Sequence, residues 1–308
     1  MNILIATEKP FAASAVEGIR EIVEAAGHQL HLLERYTEKS ELLTAVAEAE
    51  AEALIVRSDV IDAEVFDAAT KLQIVVRAGA GVDSIDLASA TAHNVVVMNT
   101  PGQNANAVAE LVFAYLLFHV RQHFNGKIGT ELKGKRIGLL AYGNVASEVA
   151  RIAHGFGMDV HAYDFFHRVE RIESDGVYAE HNLYDLVQCC DIVSCHTPAT
   201  PRTVGFVNRE MIALMKPGGI LLNTARKEII NEDELLDLFK ERTDISFITD
   251  IPPKRHEEFK ALMGDRYFAP PKKMGAQTAE ANANAGLAAA QQIVKFFATG
   301  DKTFQVNV

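Results

Sequence analysis

Short apolar runs alternate with amphipathic stretches along the whole sequence, and this alternation constrains the fold more than any other feature. Residues 2–6, 29–33, 53–56, 74–76 and 95–98 are strand-like runs. Between them lie helical patterns, such as 15–26 and a short helix for which Asp62 is the expected N-cap. A second series follows at 136–140, 159–163, 192–194, 220–222 and 247–248. Strands that alternate with helices imply parallel sheets joined by crossover helices, so the expected class is α/β. A length of 308 residues suggests two domains.

The segment 104–124 separates the two series and is apolar on more than one face, which points to burial between domains or against another subunit. The longest apolar stretch, 111–120, contains His119 and falls well short of the ~18 residues of a membrane span. The first residues read as a strand, without a basic segment ahead of a signal-type apolar core, so a cytoplasmic location is expected. A net charge of −11 without a basic tract argues against a nucleic-acid partner. Cys189, Cys190 and Cys195 give no disulfide framework and read as small buried hydrophobes. The eleven histidines show no ligand motif, so no metal is expected.

The turn after residues 136–140 carries a degraded dinucleotide fingerprint. In register with G-x-G-x-x-G stand Ala141, Gly143 and Ala146, the alanine at the first position being a departure. Gly143 keeps the place where backbone must approach a pyrophosphate, with Tyr142, Asn144 and Val145 around it. Asp164 ends the next strand at the spacing of the acid that accepts ribose hydroxyls. Its carboxylate favours NAD over NADP, a preference that the nearby Arg168 weakens.

Several further motifs occur in order: Arg77-Ala78-Gly79-Ala80-Gly81-Val82-Asp83, Asn99-Thr100-Pro101-Gly102, Val108-Ala109-Glu110-Leu111, His196-Thr197-Pro198, Met215-Lys216-Pro217-Gly218-Gly219 and Leu222-Asn223-Thr224-Ala225-Arg226. Together they resemble the D-isomer-specific 2-hydroxyacid dehydrogenases, most closely the short members that oxidise D-3-phosphoglycerate in the first step toward serine. The resemblance implies two Rossmann-like, doubly wound parallel-sheet domains: a substrate domain of 1–98 plus 284–308, and an NAD domain of 99–283. It also implies a homodimer built on the 104–124 helix. The chain stops soon after Val306, so no additional regulatory domain, and no serine feedback through one, is expected.

The same resemblance assigns the chemistry. Arg226 matches the catalytic arginine, whose planar fork grips a carboxylate and polarises the C2 oxygen. Where the family usually has a catalytic histidine, Lys273 stands in Pro271-Lys272-Lys273-Met274-Gly275-Ala276. A lysine there acts as a base only when its pKa falls well below about 10.4, which desolvation and the Arg226 charge favour. The other reading of the exchange is a dead site. Asp250 matches an aspartate near the nicotinamide carboxamide, and His196, Thr197, Pro198, Thr224 and Ala225 match further cofactor positions.

The family's glutamate five positions after that aspartate is Arg255 here, with Glu257 and Glu258 close by. An acid would hold the lysine protonated, so no carboxylate is expected beside Lys273. Arg57 and Ser58 resemble phosphate contacts, the amides of Ala78–Gly81 suit a carboxylate, and Asn104 is a further substrate candidate. Two alternatives stay open at this point: a reductase of glyoxylate or hydroxypyruvate, and a non-catalytic NAD-sensing protein like the corepressors built on this fold.

Overall fold

The computed structural model describes residues 1–166 and 168–307. The chain divides into two compact units, Met1–Asn104 with Thr278–Val308, and Ala105–Gln277.

The first unit contains β1 (Asn2–Thr7), β2 (Gln29–Glu34), β3 (Ala53–Val56), β4 (Ile74–Arg77) and β5 (Val96–Asn99), all parallel in the order β2-β1-β3-β4-β5. β3 and most of β4 and β5 are buried on both faces, which is why they read as unbroken apolar runs. The long C-terminal helix Ala279–Thr299 starts at Thr278, whose hydroxyl accepts the Ala281 amide, and packs on helix Ala13–Ala25. The chain end then closes the sheet edge, where Asn307 accepts the Val97 amide and donates to the Val95 carbonyl. Asp62 takes the N-cap position of helix Ala63–Ala68, but its carboxylate turns to Lys39 at 2.6 Å instead of capping.

The second unit holds β6 (Arg136–Leu140), β7 (Asp159–Tyr163), β8 (Tyr178–Ala179), β9 (Ile192–Cys195), β10 (Ile220–Asn223), β11 (Ser246–Thr249) and β12 (Tyr267–Phe268). Their order, β12-β11-β10-β9-β6-β7-β8, is fully parallel and reverses between β6 and β9, the crevice where doubly wound sheets bind ligands. The fold is thus the expected α/β arrangement of two doubly wound parallel sheets. β8 and β12 escaped the sequence reading because two residues are too few to display a period of two.

Helix Ala105–Val120 buries Val108, Val112, Phe113, Tyr115 and Leu116 and packs on helix Asn144–Gly155. It ends earlier than the apolar pattern suggests, because Gln122, His123 and Phe124 all adopt positive φ near 54–56°. Three left-handed residues in a row cannot continue a right-handed helix.

Candidate active site

Register places the candidate residues of the second unit. Leu140, Tyr163, Cys195, Asn223 and Thr249 pair side by side at the carboxyl ends of β6, β7, β9, β10 and β11. The residues that follow them, Ala141, Asp164, His196, Thr224 and Asp250, therefore share one sheet edge.

At the switch point, Gly143 is the N-cap of helix Asn144–Gly155, with no side chain capping it and no acid in the first turn. A Cβ built on Gly143 would meet nothing within 4 Å. Open space above a glycine, beside the uncapped amides of Asn144 and Val145, suits a diphosphate. Ala141, the departure from the fingerprint, sits at φ +71°, so the turn keeps the left-handed geometry that glycine usually supplies. Asp164 is almost fully buried; one carboxylate oxygen accepts the Tyr142 amide at 2.9 Å and the other the Phe166 amide at 2.8 Å. Each oxygen keeps a further lone pair for a ribose hydroxyl. Arg168 lies 3.7 Å from this carboxylate.

Tyr142 has a different role from the one its position suggests. Its ring is fully buried, its hydroxyl donates to Asp175 at 2.8 Å, and its amide is used on Asp164. It fixes the acid and turns neither ring nor amide toward a dinucleotide. Thr197 is likewise used internally, its hydroxyl donating to the Leu140 carbonyl at 3.2 Å, while the Pro198 carbonyl accepts from Thr203. By contrast, both ring nitrogens of His196 and the Thr224 hydroxyl are buried without a hydrogen-bond partner among the described residues. Orphaned polar atoms at this edge fit a polar ligand that would pair them. Burial pushes His196 down to about 3, so its ring is neutral.

Arg226 follows β10 on a turn braced by Asn223. The buried Asn223 side chain accepts the Ala225 amide at 3.0 Å and donates to the Arg226 carbonyl at 2.9 Å. The Arg226 guanidinium donates to the Ala225 carbonyl at 3.0 Å. The same Asn223 reaches β11, because its carbonyl accepts the Asp250 amide at 2.9 Å.

Asp250 is fully buried. Its carboxylate accepts the Met274 amide at 2.9 Å, the Gly275 amide at 3.0 Å and the Tyr115 hydroxyl at 3.2 Å. It thereby clamps the segment that carries the exposed Lys273 onto the sheet edge that carries Arg226. The clamp needs Gly275, since a Cβ there would lie 2.8 Å from the Asp250 carboxylate. Burial and the Asp250 charge push the Tyr115 phenol far up, which keeps it a donor.

Glu258 is held by both its oxygens to Arg255, and Glu257 is exposed, 3.7 Å from His256. Neither Asn223 nor Tyr115 was assigned a role from the sequence, although an asparagine closing an apolar strand and a tyrosine hydroxyl in a strongly apolar helix are visible signals.

In the first unit, Arg57 follows β3 and Ala78 follows β4 at the same edge. The Arg57 guanidinium donates to the carbonyls of Lys9 (2.7 Å) and Pro10 (3.0 Å) and to Asn282, and lies 5.1 Å from the Phe11 ring. Ser58 is exposed and Asn104 half-buried. The expected cradle is smaller than its sequence suggests: the Ala78 amide bonds the Val56 carbonyl and the Gly79 amide the Arg77 carbonyl. Only the Ala80 and Gly81 amides are left among the described residues.

The family model for the D-isomer specific 2-hydroxyacid dehydrogenase NAD binding domain matches residues 113–266. The chain is 34% identical over 270 residues to D-3-phosphoglycerate dehydrogenase of Bacillus subtilis, covering 82% of this chain and 51% of that protein. It thus spans about half the length of that relative. To hydroxypyruvate reductase of Thermotoga maritima it is 33% identical over 87% of this chain and 91% of that one. The NAD+-bound 3-phosphoglycerate dehydrogenase of Entamoeba histolytica superposes with a TM-score of 0.87 at 43% identity, covering 100% of this chain and 99% of that one. With the edge geometry above, these matches show that the chain belongs to the D-isomer specific 2-hydroxyacid dehydrogenase family and carries its NAD-binding domain.

Proposed function

We propose that this protein oxidises the C2 hydroxyl of D-3-phosphoglycerate to give 3-phosphohydroxypyruvate, acting in the cytoplasm as a homodimer. The observation that carries the reading is the brace from Arg226 through Asn223 and Asp250 to the Lys273 segment, which builds two cationic side chains onto one sheet edge. NAD supplies the hydride acceptor when bound, and the Gly143 turn, Asp164, His196 and Thr224 are the residues that would hold it. Arg226 engages the substrate carboxylate and polarises the C2 oxygen. Lys273 handles the C2 hydroxyl proton in both directions. Arg57 and Ser58 receive the phosphate, which selects a doubly anionic substrate over lactate or glyoxylate; the Ala80 and Gly81 amides add donors for an anion. The homodimer is supported by the exposed Phe124 and Ile128 that follow helix Ala105–Val120.

The test is NADH absorbance with a panel of phosphorylated and plain 2-hydroxy and 2-keto acids. D-3-Phosphoglycerate should turn over best, Lys273→Ala should lower kcat by about 10²–10⁴ with NAD affinity retained, and Arg57→Ala should weaken phosphorylated substrates selectively. Full activity in Lys273→Ala refutes the proton role. A second reading, hydroxypyruvate reduction, is favoured by the match along 91% of the Thermotoga maritima protein, and wins if plain keto acids outpace phosphorylated ones.

A further inference from the structure

We propose that His161, Glu180 and Cys189 form a structural site for one zinc-class divalent cation, away from the residues assigned to catalysis. His161 Nδ1 lies 2.7 Å from Glu180 Oε1, and Cys189 Sγ lies 3.9 Å from both atoms. All three ligand atoms fall within 4.8 Å of one another, and all three residues are half-buried. From zinc bond lengths, a tetrahedral ion needs nitrogen–oxygen separations of about 3.4 Å and sulfur–nitrogen or sulfur–oxygen separations of about 3.6 Å. Shifts of less than about 1 Å in the three side chains reach that geometry.

The surroundings suit the same ligand. Cys190 Sγ lies 3.6 Å from Cys189 Sγ, close to the spacing of two sulfurs on one zinc ion. It has room because Gly138 lies beneath it, where a Cβ would meet that sulfur at 2.9 Å, and Gly138 pairs in register with His161. The His161 ring stacks on Tyr178 with centroids 4.8 Å apart, which fixes its orientation. The neighbouring cations are already matched, Arg136 with Asp159 at 4.0 Å and Lys216 with Asp191 at 3.1 Å. A thiolate and a carboxylate then balance a dication.

Sequence spacing conceals this set. The ligands stand 19 and 9 residues apart, and they meet only because β7, the end of β8 and the last turn of helix Leu183–Cys189 come together. The expectation of no metal rested on the absence of a ligand motif along the sequence, which an arrangement assembled across separate elements does not require. A bound ion would tie the two-residue edge strand β8 to β7, the strand that leads into Asp164.

The test uses the full chain stripped of metal. Zinc titration against a chromophoric chelator should give one tight site per chain and raise the melting temperature by about 5 °C at zinc roughly a hundredfold above its dissociation constant. Cobalt(II) should give the intense visible bands of a tetrahedral ion with thiolate charge transfer. His161→Ala and Cys189→Ser should each weaken zinc by about 100-fold, whereas the exposed His181→Ala should not. A weak octahedral cobalt spectrum on the unmodified chain, or zinc binding unchanged in both ligand variants, overturns the site without reference to catalysis.

Discussion

Replacing Asp250 with asparagine isolates what the clamp on the Lys273 segment contributes. The native carboxylate accepts three hydrogen bonds, two at one oxygen (Met274 amide, Tyr115 hydroxyl) and one at the other (Gly275 amide). Asparagine keeps the shape and places its oxygen best against the doubly used side. Its NH2 then faces the Gly275 amide, donor against donor. One charge-assisted bond, worth about 1.5–3 kcal/mol, is lost, and a buried amide is left unpaired at about 1–3 kcal/mol. Removing a buried charge offsets part of this, so the net destabilisation is about 2–4 kcal/mol. Hydrogen exchange over 272–277 should quicken by about tenfold or more, because each 1.4 kcal/mol lost from local closure is a factor of ten. Under the proposed reaction, kcat should fall with little change in the KM for NAD, since the segment that holds the base becomes loose. Tyr115→Phe, which removes only the 3.2 Å bond, should cost less than about 1.5 kcal/mol. Native exchange rates and native stability in Asp250→Asn would refute the clamp.

Three further outcomes follow from other parts of the molecule. Ala141→Gly should stabilise the chain by about 0.5–1 kcal/mol, because a left-handed alanine costs about 1–2 kcal/mol and glycine gives back about half of that in chain entropy; a lowered melting temperature would contradict the turn geometry. Asn223→Ala should cost about 2–3 kcal/mol in chemical denaturation and raise the substrate KM, because the Ala225 amide and the Arg226 carbonyl both lose their partner. Acid should weaken the fold before most carboxylates titrate. Burial, aided by His123, pushes His119 down to about 4, and burial pushes His196 to about 3. The unfolded chain takes up protons near pH 6.5 that the fold refuses, so this stability is present above about pH 6.5 and is lost as the pH falls toward 4. A urea midpoint that is flat from pH 7 to 5 would contradict neutral buried histidines.

Much of this protein was determined by local sequence. The apolar runs mark ten of the twelve strands among the described residues, most plainly those buried on both faces, which must be continuously apolar, and the order of motifs indicates the family. Gly143 and Asp164 stood out as candidates because each follows a recognisable strand at the fingerprint spacing, and Arg226 because its Asn-Thr-Ala-Arg context resembles the family's motif. Tertiary structure decided how these residues are used. Tyr142, beside the glycine turn, faces the core, and Asp250 spends its carboxylate on the backbone next to Lys273. The Ala78 and Gly79 amides are used within the sheet edge, and His161, Glu180 and Cys189 meet across separate elements. Strand pattern depends on neighbours a few residues away, whereas the partner of a buried polar group is set by which strand ends the sheet register brings together, and no spacing along the chain encodes that directly.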